Sequence, residues 1–207
     1  MIAIVDYGVG NLFSLKSSLK MIGAEAVVTG DAAAIRACDK SILPGVGAFA
    51  DAAEKLRATG LDRVVIAEAN RGKPLLGICL GMQLLFDRSM EYGEHKGLGL
   101  IPGSVEDLKP DIPADLKVPH IGWNALHPLL DHPLLKYVKA GDCVYFVHSF
   151  YATHCDESTI ATAEYGTAVT AAVARGNVMG CQFHPEKSGD VGLGILRAFC
   201  EWKGADA

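Results

Sequence analysis

Short apolar runs alternate with helix-patterned stretches through the first half of this chain, and that alternation most narrows the folds open to it. Met1-Ile-Ala-Ile-Val5 is an apolar run suited to a strand buried on both faces. After the turn Asp6-Tyr-Gly-Val-Gly10, the residues Leu12, Leu15, Leu19 and Ile22 share one helical face, and Gly23 stands where a C-terminal cap belongs. A second strand is expected over 24–29 and a third over 41–43, ending at Pro44-Gly-Val-Gly47. Helices are expected around 50–58 and 61–71, then a strand over 74–78 and a helix over 80–87. Strands and helices in this order predict a parallel, doubly wound sheet.

Beyond Gly103 the texture changes. Runs at 118–123, 143–150, 159–163, 169–174 and 177–183 are short, strand-like and separated by turn residues. A final helix at about 190–203 has an apolar face of Val191, Ile195 and Phe199. No repeat or linker divides the chain. The expectation is one α/β domain over residues 1–207, with a mostly parallel, doubly wound open sheet that antiparallel strands of the second half extend.

Charge and composition remove several function classes. Against 24 acidic residues stand 19 Lys and Arg, a net charge of −5, which argues against a nucleic-acid-binding surface. The longest apolar stretch, 74–86, is broken by Gly77, Gly81 and Gln83, so no membrane span is expected. No basic segment precedes the first apolar run, so the expected location is the cytoplasm. Six cysteines contain no CxxC pair, which suggests neither a zinc site nor a dithiol redox centre, and no metal or cofactor is called for. Pro44-Gly-Val-Gly47 fits neither phosphate-binding glycine pattern, so nucleotide binding is not supported.

One cysteine stands apart. Gly77-Ile-Cys79-Leu-Gly81 follows an apolar strand and opens a helix, the setting in which a sharp turn lifts a nucleophile above the sheet. Glycines on either side are required because a Cβ would clash with neighbouring backbone. The helix start favours thiolate over thiol, and the Leu80 amide is free to donate to an oxyanion.

A cysteine nucleophile needs a base that a third group orients. His184 lies in Gln182-Phe-His-Pro-Glu186 after the last apolar strand. Proline holds His184 out of a helix, and an extended segment would put Glu186, two residues on, beside the imidazole. Among the other histidines His148 is the alternative base, but it lacks a carboxylate at that spacing and reads better as a packed strand residue. The second oxyanion donor is expected from the backbone of Val46 or Gly47, in a turn whose strand should neighbour that of Cys79.

Gly77–Gln83 with Gln182–Ser188 resembles the triad glutamine amidotransferases. Together with 6–11, 43–49, 97–103, 119–124 and 145–151, in this order, the chain is similar to the glutaminase subunits of imidazole glycerol phosphate synthases. The resemblance implies glutamine hydrolysis through a cysteinyl thioester, with Cys79 as nucleophile, His184 as base then acid, and Glu186 as its orienting carboxylate. It also implies that Gln83 and the backbone around Gly45, Gly47, Ser149 and Phe150 hold glutamine. The implied partner is a (β/α)8-barrel cyclase that receives the ammonia, with Asn11, Trp123, Asn124, Tyr145 and Lys187 at the interface of a heterodimer. A glutaminase of another synthase, a stand-alone cysteine hydrolase and a non-catalytic interaction subunit are the competing readings.

Overall fold

A computed structural model describes residues 1–204. Strand β1 (Ile2–Val5) is buried on both faces, as its unbroken apolar run requires. Its alternate residues part to two cores: Ile2 and Ile4 meet Leu15, Leu19, Ile195 and Phe199, while Ala3 and Val5 meet Ile35, Phe49, Leu56 and Val65. Each core is sealed by helices. On one face lie α1 (Leu12–Met21) and α6 (Gly189–Glu201); on the other lie α2 (Ala32–Ala37), α3 (Phe49–Ala58) and α4 (Leu61–Asn70). Gly23, at φ 77°, ends α1 by donating to Lys20 O while Ala24 donates to Leu19 O, which satisfies two of the helix's last carbonyls.

The main sheet runs β2 (Ala26–Thr29), β1, β3 (Lys40–Leu43), β4 (Leu75–Ile78), β14 (Val178–Cys181), β13 (Ala168–Arg175), β12 (Thr159–Glu164) and β9 (His127–Pro128). The pairs from β2 through β14 are parallel and those from β14 outward are antiparallel. The expected architecture is therefore present. β14 is the hinge of the design: it pairs Gly180 with Gly77 in parallel and Gly180 with Val173 in antiparallel register.

Three expectations need correction. The helix expected over 80–87 stops early: α5 spans Leu80–Leu84, and β5 (Phe86–Ser89) follows at once. The carbonyls of Leu84, Leu85, Phe86 and Asp87, the last turn of such a helix, accept from Leu98, Leu100, Ile101, Gly99 and Gly97. Gly97 makes this approach possible, since a Cβ there would lie 2.0 Å from Phe86 O.

Second, only part of the later half extends the main sheet. β8 (His120–Ala125) and β10 (Cys143–His148) form a separate two-stranded ribbon. β11 (Phe150–Thr153), β7 (Ile101–Asp107), β5 and β6 (His95–Lys96) form a separate four-stranded sheet. The run expected at 143–150 is thus two strands, divided at Ser149. Third, α2 was not expected; Asp31 caps it, accepting from Ala34 N at 2.8 Å.

Candidate active site

The carboxyl ends of β3, β4 and β14 converge, and the turns that leave them build the site. Cys79 ends β4 at φ 53°, ψ −114°, a strained conformation for a residue with a Cβ, and its amide donates to Cys181 O at 2.8 Å. A Cβ on Gly81 would sit 1.9 Å from Leu43 O, and one on Gly77 would sit 2.7 Å from Gly81 O. The elbow is therefore a backbone-on-backbone contact that no other residue permits. α5 is only five residues long, so its dipole is small and the expected thiolate preference cannot rest on it. What the turn does supply is the Leu80 amide, which has no partner among the described residues.

His184 is extended at φ −100°, ψ 98°, and its amide donates to Tyr145 O at 2.9 Å. The carboxylate reaches it by a different route from the extended one expected. Residues Pro185–Lys187 form a 3-10 turn, which curls Glu186 back so that His184 Nδ1 and Glu186 Oε1 are 2.8 Å apart. Proline at the start of that turn fixes its φ and needs no donor. Ser188, buried, locks the turn by donating to His184 O at 2.6 Å while accepting from Tyr145 N at 3.0 Å.

The His184 and Glu186 side chains are 2% and 3% exposed. Burial works against protonation of the ring, but hydrogen bonds to Cys79 and Glu186 outweigh it and raise the His184 pKa to about 9. His184 therefore holds Glu186 through Nδ1 and lines the same cavity wall as Cys79.

These groups open on a cavity of about 320 Å³. Of the residues expected at the site, Val46, Gly47, Cys79, Leu80, Gln83, Ser149, Phe150 and His184 line it. Gly45 does not. It is buried behind the wall, where a Cβ would lie 2.6 Å from Gly81 N. The 44–47 turn is steadied by Tyr7, whose hydroxyl donates to Pro44 O at 2.7 Å. Burial pushes the Tyr7 hydroxyl pKa up, so it remains a donor.

Glu91 and Tyr92 also line the cavity, and sequence reasoning missed both. Glu91 Oε2 accepts from Phe49 N at 2.6 Å, and the Tyr92 ring meets the edge of Phe150 at 5.8 Å. No local signal marks them, because they sit in the loop that joins β5 to β6. His148 faces the cavity too, with a pKa of about 3 set by burial and by the neighbouring His120. Its Nδ1 lies 3.0 Å from Phe150 O and its Nε2 lies 3.0 Å from His120 Nδ1. A ring held neutral in this way is poorly suited to serve as a base at neutral pH.

Around the rim, Trp123 and Tyr145 pair across β8 and β10 with ring centroids 6.3 Å apart, and Lys187 Nζ lies 5.7 Å above the Tyr145 ring. Trp123 is 58% exposed. Asn11 sits at the start of α1 and makes no side-chain cap bond. Asn124 differs from these: its amide nitrogen donates to Glu164 O at 2.8 Å and faces His120 Nε2 at 3.3 Å, so it points into the protein.

Comparison with known proteins gives the family. Residues 3–201 match the family described as glutamine amidotransferase class-I. The imidazole glycerol phosphate synthase subunit HisH of Bacillus licheniformis is 52% identical, covering 96% of this chain and 95% of its own. Those of Bacillus cereus and Caldanaerobacter subterraneus are 50% and 48% identical, covering 96% and 97% of this chain and 93% and 98% of theirs. Among solved structures, a glutamine amidotransferase superposes with a TM-score of 0.74 at 20% identity, covering 96% of this chain and 98% of its own. PurLQS from Thermotoga maritima gives 0.73 at 21% identity, covering 96% of each chain. The structural likenesses speak to the fold and the sequence likenesses to the family, and the chain belongs to the class-I glutamine amidotransferases, within the family of HisH subunits of imidazole glycerol phosphate synthase.

Proposed function

We propose that this chain hydrolyses glutamine to glutamate and ammonia through a cysteinyl thioester, and hands the ammonia to a barrel-shaped cyclase partner in histidine biosynthesis. The observation that carries the reading is the buried His184–Glu186 pair, which shares with Cys79 and the Leu80 elbow the wall of one ligand-sized cavity.

The Cys79 thiolate attacks the carboxamide carbon of glutamine. Negative charge moves to the carboxamide oxygen, where the Leu80 amide and an amide of Val46 or Gly47 receive it. Loss of one such donor typically costs about 3 kcal/mol of barrier. His184, protonated at rest, gives its proton to the departing ammonia, and the C–N bond breaks to leave the thioester. The neutral ring then takes a proton from water, which adds to the thioester carbon, and glutamate leaves as the Cys79 thiolate re-forms. Glu186 holds the ring in the productive tautomer throughout.

The free end of glutamine is an ammonium and a carboxylate. Glu91 and the Gln83 side-chain oxygen offer the cavity acceptors for the ammonium, and the Ser149–Phe150 backbone borders the carboxylate end. Trp123, Tyr145 and Lys187 form the docking face for the cyclase, with Asn11 beside it. The test is ammonia release from glutamine with and without the cyclase and its ligand. A rate that rises in the complex supports the reading; turnover indifferent to Cys79→Ala overturns it.

A further inference from the structure

Gln182 is the residue of the 182–188 block to which the mechanism gives no task. Its side chain follows β14 and is fully buried, at 0% exposure. A buried primary amide carries two N–H donors and a carbonyl, each costly to leave unpaired. Here the partners fix which end is which. Gln83 Nε2 lies 2.9 Å from Phe150 O, a backbone carbonyl that can only accept, so Gln83 turns its nitrogen that way. The same nitrogen donates to Gln182 Oε1 at 3.0 Å. With its oxygen committed, Gln182 must turn its nitrogen the other way, and Nε2 meets Cys79 Sγ at 3.8 Å.

A chain of two side-chain amides therefore runs from a backbone carbonyl to the sulfur, and its direction is set at the carbonyl end. That end is anchored twice, since His148 Nδ1 also meets Phe150 O at 3.0 Å. We propose that Gln182 is a positioning residue for glutamine hydrolysis: it donates an N–H to the Cys79 thiolate, favouring ionised sulfur and holding it toward the cavity. This rests on reading Cys79 as the nucleophile. A thiol sulfur is a weak acceptor and a thiolate a strong one, so a buried donor aimed at sulfur favours the charged form. The amide does so without carrying charge, leaving His184 free to give up its proton in the reaction. A consequence follows for Gln83. Both its N–H groups are spent, so only its oxygen remains for a ligand in the cavity.

The other titratable groups around Cys79 are His184 and Glu186 from the 3-10 turn, His148 from β10, Cys181 from β14 and Tyr7 after β1. Burial pushes the Cys181 thiol up and keeps it inert, and Glu91 lines the same cavity. None is altered by replacing Gln182.

The test is the pH profile of iodoacetamide alkylation on the full chain, read on the Cys79 peptide because Cys143 is exposed. Gln182→Met keeps the volume and removes the donor. The pH of half-maximal alkylation should move up by about one unit, so that about tenfold less thiolate is present below it. The kcat for glutamine at neutral pH should fall by a similar factor. If this variant fails to fold, the native protein still decides: the Gln182 side-chain amide resonances must shift with the same midpoint as thiolate absorbance. Profiles that superimpose, or amide resonances blind to thiol ionisation, overturn the proposal. Glutaminase activity surviving Cys79→Ala would instead remove the nucleophile reading and leave the hydrogen bond standing.

Discussion

Glu186 Oε1 lies 2.8 Å from His184 Nδ1 while Glu186 Oε2, buried on the same carboxylate, has no hydrogen-bond partner. The imidazole is thus the carboxylate's one strong hydrogen-bonding partner among the described residues. A buried charge so placed is tolerable only beside an opposite one, which favours imidazolium. His184→Ala should lower kcat by about 10⁴-fold, the upper end for losing an acid–base group. Glu186→Gln should cost less than His184→Ala, because an amide oxygen can still orient the ring. Rates for both variants equal to wild type across pH would take these residues out of the mechanism.

The same pair makes stability depend on pH. The His184 pKa is about 9 in the folded protein against 6.5 for the free side chain. A raised pKa adds stability that is complete below about pH 6.5 and fades as pH climbs through 9. In Cys79→Ala the ring loses a partner that raises its pKa, so its titration, followed by ring ¹⁵N NMR, should move to lower pH. A midpoint that stays in place would show that the sulfur does not hold the proton on the ring.

Cys79 is held at φ 53°, where a Cβ is strained and glycine is not. Both Cys79→Ala and Cys79→Gly abolish glutamine hydrolysis, but the glycine variant should be the more stable of the two by about 1 kcal/mol in urea unfolding. Equal stabilities would mean that the turn carries no strain.

Gly81→Ala should do the opposite. Its Cβ would fall 1.9 Å from Leu43 O, a backbone atom of a central strand with nowhere to retreat. Overpacking of this kind costs about 3 kcal/mol or more, and the melting temperature should drop accordingly. An unchanged melting curve would show that α5 and β3 are less tightly apposed.

If Cys79 serves only to make ammonia for a partner, the Cys79→Ala complex should fail with glutamine yet form imidazole glycerol phosphate from ammonium salt. Free NH₃ is the nucleophile, so the rescued rate should climb with pH until NH₃ predominates. Ammonia unable to replace glutamine would contradict the delivery scheme.

Several features were legible in the sequence because their causes are local. The doubly wound half follows from apolar runs and helical periodicity, and Gly77 and Gly81 announce a turn that only glycine fits. His184-Pro-Glu186 places base and carboxylate together because proline fixes its own φ and keeps the residue before it extended, even though the turn proved 3-10 rather than extended. The sequence by itself therefore determined the parallel core of the sheet, the elbow and the short-range His–Glu pair. Only the tertiary structure decided what depends on register between distant segments. The amides of Gly97–Ile101 bond the carbonyls from Leu84 to Asp87, where α5 ends and β5 begins, and the β5–β6 loop brings Glu91 and Tyr92 to the cavity. Folding brought Gln182 to Cys79 across more than a hundred residues, and turned Asn124 inward to His120. Those partners are chosen by hydrogen bonds that buried groups must find wherever the fold offers them, and no spacing along the chain encodes where that is.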